Sequence, residues 1–317
     1  MANEIELKLC VTAAGLHHLR HHWLPSQAEQ QIEPQPLANT YYDTPQLLLN
    51  QRKVALRLRE HKGHYIQTLK TKGQSVGGLH QRGEWEWEVS EPRLYPELLA
   101  GTAFPAEVSV AELAPLFRTD FERTTVLLQR GATCIELALD EGWVMAGEHR
   151  APILEVELEL KQGGVTELFD LAQELAREVP VWLSDISKAE RGYRLGSALI
   201  SQSEPKALLP AEQWLRKIYR RWLRQIEAFR AQPSQTAALA LIEVVATLQS
   251  AVAELADWSW DLAKREALAR ELAEELRLLE GVMENITSAP QEALAQFERS
   301  HRAGQIALAF SRWFAVA

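Results

Sequence analysis

The chain has 317 residues, 46% of them hydrophobic and 24% charged, with a formal net charge of −9 at pH 7. That composition belongs to a globular protein with a real core, and the length exceeds one usual domain. The acidic balance excludes a general nucleic-acid surface, although a polyanion can still bind if basic residues are concentrated in one place.

In chain order, period-2 alternation over 5–9 predicts a first strand, followed by a helix at about 12–23. Further strands are expected over 54–59, 65–72, 84–89, 124–129, 133–139 and 153–160, punctuated by turn signals at Lys62-Gly63, Gly77-Gly78 and Gly163-Gly164. Helical patterns return at about 166–178 and around Lys188. This count predicts an α+β fold: a closed antiparallel β-barrel of about eight strands with packed helices, because closure removes exposed sheet edges. The stretch 201–210, polar and with two prolines, reads as a linker. From Ala211 onward the pattern is helical, with breaks near Gln232-Pro233, Asp257 and Ala289-Pro290 that suggest a bundle of about four helices. The expected domains are therefore 1–203 and an all-α unit over 204–317.

The cysteines are Cys10 and Cys134, in strand-like runs without zinc-site spacing. They read as free core thiols in a reducing compartment, the cytoplasm. The charged start MANEIELKL reads as no signal peptide, and no apolar run is expected to approach the ~20 residues that cross a bilayer, so no membrane partner is expected.

In a strand, residues two apart share a face. Glu4, Glu6 and Lys8 therefore lie together, as do Arg57 with Arg59, Thr68 with Lys70 and Lys72, Glu136 with Asp140, and Glu155 with Glu157 and Glu159. Solvated faces explain any one strand, but they do not normally segregate charge by sign. If the faces line a barrel interior, each unpaired buried charge costs several kcal/mol, so acids and bases must pair or enclose metals and a polyanion. A polyphosphate fits: Arg and Lys grip its oxygens, and carboxylates hold hard divalent cations that neutralise it. No Ser/His/Asp or Cys/His arrangement stands out.

The segment Glu4-Ile5-Glu6-Leu7-Lys8 resembles the ExExK signature of the CYTH proteins, or triphosphate tunnel metalloenzymes. Further elements follow in order: Arg57-Leu58-Arg59, Thr68-Leu69-Lys70, Arg123 after Asp120-Phe121, Asp140 in Leu139-Asp140-Glu141-Gly142, Glu155-Val156-Glu157, and Ser187-Lys188-Ala189-Glu190-Arg191-Gly192-Tyr193. The stretch Val76-Gly77-Gly78-Leu79-His80-Gln81-Arg82 is most similar to bacterial inorganic triphosphatases with a second, helical domain. The resemblance implies metal-dependent hydrolysis of inorganic triphosphate, with Mg²⁺ or Mn²⁺, two ions in all. It implies Glu4, Glu6, Asp140, Glu155 and Glu157 as metal ligands. Lys8, Arg57, Arg59, Lys70, Arg82, Arg123 and Lys188 are implied as phosphate-binding residues. Catalysis falls to Glu4, Glu6, Lys8, Asp140 and Lys188. Lys72 and Glu159 are placed at the tunnel mouth, and Glu136 has the right parity without a motif match.

The last third resembles the CHAD module, a helical domain that binds polyphosphate, but at about half that module's usual length. Its first helix carries Lys217, Arg220, Arg221 and Arg224 as a basic stripe, so longer polyphosphate is a possible second partner, with an ordinary solvated face as the plain alternative. His17, His18, His21 and His22 form two i, i+4 pairs without an evident third ligand. Trp85, Trp87, Trp143, Trp258 and Trp260 read as packing residues. Two other functions stay open: a nucleoside or thiamine triphosphatase or adenylate cyclase of the same family, and a non-catalytic polyphosphate binder.

Overall fold

The structure is a computed structural model that describes residues 2–27, 33–71, 73–196, 211–254, 262–286 and 290–316. Lys72, Trp258, Trp260, the expected linker 201–210 and the breaks at Asp257 and Ala289 lie outside the described residues.

Strand β1 (Ala2–Cys10) leads into α1 (Ala13–His18), capped where Thr12 Oγ1 accepts from Gly15 N at 3.0 Å. The helix widens to a π turn over Leu19–Trp23 and ends in α2 (Leu24–Gln27). There follow β2 (Gln35–Asp43), α3 (Leu48–Gln51), β3 (Ala55–His61), β4 (His64–Lys70), β5 (Gln74–Val76) and β6 (Leu79–Val89). Then come the long strands β7 (Ala114–Arg130), β8 (Thr133–Ala146) and β9 (His149–Gln162), then α4 (Val165–Glu178), β10 (Trp182–Leu183) and α5 (Lys188–Gly196). All pairings are antiparallel in the order β1-β9-β8-β7-β2-β3-β4-β6, and β6 pairs back onto β1, closing an eight-stranded barrel. The expected barrel is present, and its turns at Lys62-Gly63 and Gly77-Gly78 use positive φ, the latter at two glycines.

The barrel is apolar outside and charged inside. Leu7 and Leu9 on β1 face outward into a buried cluster with Leu16 and Leu19 of the first helix and Phe169, Leu171 and Leu175 of α4. Val54, Leu56 and Leu69 are covered by Leu99 and Val108 from the β6–β7 connection. This cover is what lets an antiparallel sheet keep a polar face inward. Strand β2 was not foreseen: its inward residues Leu37, Asn39, Tyr41 and Asp43 mix apolar and polar types, which hides the alternation.

The last third forms α6 (Ala211–Ala231), α7 (Gln235–Glu254), α8 (Leu262–Ile286), α9 (Pro290–Phe297) and α10 (Arg302–Val316). The break at Gln232-Pro233 is where expected, and a further one, at residues 298–301, separates α9 from α10. Contrary to the sequence reading, one stretch is long and apolar enough to cross a membrane by composition: Gln235–Ala253, with mean hydropathy 1.7. It packs against α6 and α8, and its Leu241, Val244, Val245 and Leu248 are fully buried.

The bundle lies directly on the barrel. Phe297 stacks on Trp182, the Arg230 guanidinium lies 4.0 Å from the Trp182 ring centroid, and His301 bonds the Ala176 carbonyl at 2.8 Å. A single apolar cluster runs from Leu7 and Val181 through Tyr219, Trp222 and Phe229 to Phe310 and Phe314.

Candidate active site

The barrel interior encloses a cavity of about 210 Å³ lined by Glu4, Glu6, Lys8, Arg57, Arg59, Lys70, Arg82, Arg123, Glu157 and Lys188. Each is delivered by the alternation of its strand, except Lys188, which projects from the first turn of α5 across the barrel end. Asp140 and Glu155 lie fully buried at the edge of this cavity, within reach of Lys188.

Charges of both signs line the cavity, and β6 brings Arg82, Glu84 and Glu86 together. Strands β3 and β4 present Arg57, Arg59 and Lys70; β1, β8 and β9 present further carboxylates. Asp140 and Glu155 are register partners on β8 and β9, and with Glu157 they place carboxylate oxygens within 4.8 Å of one another. Lys188 Nζ sits among them at 2.7 Å from Asp140, 2.5 Å from Glu155 and 2.9 Å from Glu157. Arg123 holds Asp140 in a two-pronged pair at 2.7 and 2.6 Å and reaches Glu157 at 2.6 Å. Burial alone would raise the Glu155 carboxyl, but Lys188 and Arg191 outweigh it and hold it at about 2. Burial of Glu157 is likewise overcome by Lys188 and Lys8, which keep it well below the usual carboxylate range.

Glu4 and Glu6 stand apart from that trio. Glu4 is bound by Arg82 at 2.7 Å and Lys70 at 2.8 Å, and Glu6 by Arg82 at 3.0 Å. Against burial, Lys70 and Arg82 depress Glu4, and Lys8 depresses Glu6. Lys8 joins the two groups, bonded to Glu157 and 3.6 Å from Glu6. Arg82 is thus a central cation of the site.

Arg59 is different. Its Nε donates to Asn39 at 2.9 Å, and no carboxylate lies within ion-pair distance among the described residues. Burial, then the neighbouring Arg57 and Arg123, lower its pKa from the ordinary arginine range to about 9. Arg57 pairs loosely with Glu86 at 3.5 Å and Glu84 at 3.8 Å, and its buried Nε has no hydrogen-bond partner. Burial works against the Arg57 cation, but Tyr41, Glu84 and Glu86 outweigh it and hold the charge. It is therefore Arg59, with a second guanidinium beside it and no carboxylate of its own, that makes a site for an anion.

Glu136 and Glu159 also line the cavity, sharing Lys161 at 3.5 and 2.8 Å. The sequence reading missed Glu84, Glu86, Tyr41, Lys161 and Arg191. Glu84 and Glu86 share parity with Arg82, the signal that could have found them; Arg191, 2.6 Å from Glu155, lay in the quoted Lys188 motif. The histidine pairs stack at 4.4 Å (His17–His21) and 5.3 Å (His18–His22). They are not part of the three-carboxylate group.

The donor set suits a hard divalent cation: three converging carboxylates and no thiol or imidazole.

The CYTH domain model matches residues 2–193, ending within α5. An inorganic triphosphatase of Haemophilus influenzae is 38% identical over 198 residues, covering 62% of this chain and 56% of that protein, so the chain spans about half the length of this curated relative. Among solved structures, a Hippeastrum protein described as having a dominant triphosphatase activity is 20% identical, covering 60% of this chain and 95% of its own, with a TM-score of 0.45. A protein of Pyrococcus horikoshii OT3 is 18% identical, covering 60% and 98%, with a TM-score of 0.40. By the match of its barrel and its first helices to the domain model, the chain belongs to the CYTH family.

Proposed function

We propose that this chain hydrolyses inorganic triphosphate to diphosphate and phosphate inside the barrel, with two divalent ions, Mg²⁺ or Mn²⁺, as cofactor. The observation that carries the reading is Arg59, a partly buried guanidinium with no carboxylate in ion-pair reach among the described residues, beside Arg57 and across from a converging carboxylate trio. A slender polyanion bridged to cations satisfies both walls at once. The relative from Haemophilus influenzae, an inorganic triphosphatase, points the same way.

In this reading Arg57, Arg59 and Lys70 bind phosphate oxygens on one side, and Lys8, Arg82 and Arg123 on the other. Asp140, Glu155 and Glu157 hold the cation, which when bound supplies charge neutralisation and a more acidic water. Asp140, accepting two bonds from Arg123, also fixes that guanidinium in place. Glu4 and Glu6 orient Arg82, and any metal contact of theirs requires Arg82 to yield. Lys188, in contact with all three carboxylates, offsets their charge and would pair with the phosphate if a dication took its place among them. Turnover needs no covalent nucleophile.

Finer parts of the proposal are a reducing, cytoplasmic setting, supported by two free cysteines, and contact of α6 with longer polyphosphate. Of the basic stripe, Arg221 pairs with Glu243 at 3.2 Å and Arg220 reaches Ser75 and Asp185, so part of it is engaged within the molecule. Phosphorus NMR of the reaction decides the activity: one diphosphate and one phosphate per triphosphate are expected. Three equivalents of phosphate, or no consumption with either metal, would refute it.

A further inference from the structure

The Gly77-Gly78 turn is gripped from the helical bundle. Ser311 of α10, fully buried, donates to the Gly77 carbonyl at 2.6 Å, and Tyr219 of α6 shares a 2.6 Å bond with the same hydroxyl. Gly77 has φ +63°, and a Cβ there would collide with Ser311 and Tyr219. The next carbonyl, Gly78, accepts the backbone N–H of Lys8 at 2.9 Å.

On the other side of Lys8, its carbonyl accepts from Ser184 N at 3.1 Å. Ser184 is fully buried, and its hydroxyl is bonded by Glu227 of α6. Asp185 ties the two sides together, accepting from Gly78 N at 2.7 Å and from Ser75 Oγ at 2.8 Å. The main chain of Lys8 is thus held between two segments, and each is bonded to a different helix of the bundle.

We propose that the helical bundle is a positioning element of the tunnel, fixing Lys8 through Ser311 on Gly77 and through Glu227 on Ser184. Lys8 carries the ammonium between Glu157 and Glu6. A shift of its backbone moves that charge relative to both carboxylate groups. Because Lys8 binds phosphate oxygens in ground state and transition state alike, such a shift weakens substrate binding more than turnover. The kinetic part of the claim rests on the triphosphatase reading; the geometric part does not.

The test uses the full chain with Ser311→Ala, Ser311→Thr, Glu227→Ala and Glu227→Gln. For Ser311→Ala and Glu227→Ala, KM for triphosphate should rise about tenfold while kcat stays within about twofold. Threonine, which keeps the hydroxyl, and glutamine, which keeps an acceptor, should each return KM to within about threefold. In the substrate-free protein the Lys8 side-chain ammonium resonance, assigned by its loss in Lys8→Arg, should move in both alanine variants and return in the conservative ones. Alanine variants that melt lower but keep KM would overturn the proposal by making the contacts merely structural. An unmoved Lys8 resonance would overturn it as well. If the wild-type chain fails to hydrolyse triphosphate, the activity reading falls, and the resonance alone decides whether the bundle places Lys8.

Discussion

Arg59 is held in its charged form at a cost to the fold. Its pKa is lowered by burial and by Arg57 and Arg123 to about 9, so at neutral pH the folded state carries a cation it would shed more readily than the unfolded chain. The sign follows: below about 9 the penalty is complete, and it is relieved as pH rises from there toward the ordinary arginine range. Arg59→Ala should therefore leave the melting temperature unchanged or raised at pH 7 without substrate, while kcat/KM for triphosphate falls by about a hundredfold or more. Arg59→Lys keeps charge but loses the fork and should recover only part of that. A thermal melt and a turnover assay check both, and a large fall in melting temperature with normal turnover would make Arg59 a structural residue. The carboxylates behave oppositely. Glu155 is depressed from 4.5 to about 2, so its stabilisation is whole above 4.5 and disappears as pH falls through about 2. Urea melts across that window should show falling stability in the wild type and a smaller fall in Glu155→Gln; equal slopes would mean that its ion pairs contribute nothing.

At the level of elements, β9 and β1 divide the acidic work. The trio on β8 and β9 converges within 4.8 Å, whereas Glu4 and Glu6 on β1 are each bound to Arg82. Glu157→Gln should thus raise the Mg²⁺ concentration for half-maximal turnover more than Glu6→Gln, by about tenfold against about threefold. A metal titration that ranks them in reverse would move the principal cation to β1. Alternation put Glu4 with Glu6, Arg57 with Arg59 and Glu155 with Glu157 on shared faces, because parity needs no tertiary knowledge, and the CYTH resemblance singled them out as site residues. Register was not legible: that Asp140 lies opposite Glu155 depends on which strands are neighbours, a property of the closed barrel. Strand β2 escaped because Asn39 and Asp43 occupy inward positions that an apolar pattern would fill. Glu84 and Glu86 escaped because Trp85 and Trp87 between them made the strand look like an ordinary solvated face.

For the whole molecule, the barrel and bundle share one apolar cluster, which local patterns could not reveal. Ending the chain near residue 203 would uncover Val181, Trp182 and Leu183, all nearly fully buried, and remove the Glu227 and Ser311 contacts. The shortened chain should melt more than about 10 °C lower than the full chain. Differential scanning calorimetry checks this, and an unchanged melting temperature would show that the barrel is stable by itself. The central claim is that the charged tunnel turns over triphosphate with a divalent cation. Phosphate release from triphosphate, ATP and thiamine triphosphate, each in EDTA and after adding back Mg²⁺ or Mn²⁺, tests it most directly. The account predicts release from triphosphate at least about tenfold faster than from either organic substrate, abolished by EDTA and restored by metal; full activity in EDTA, or preference for ATP, would contradict it.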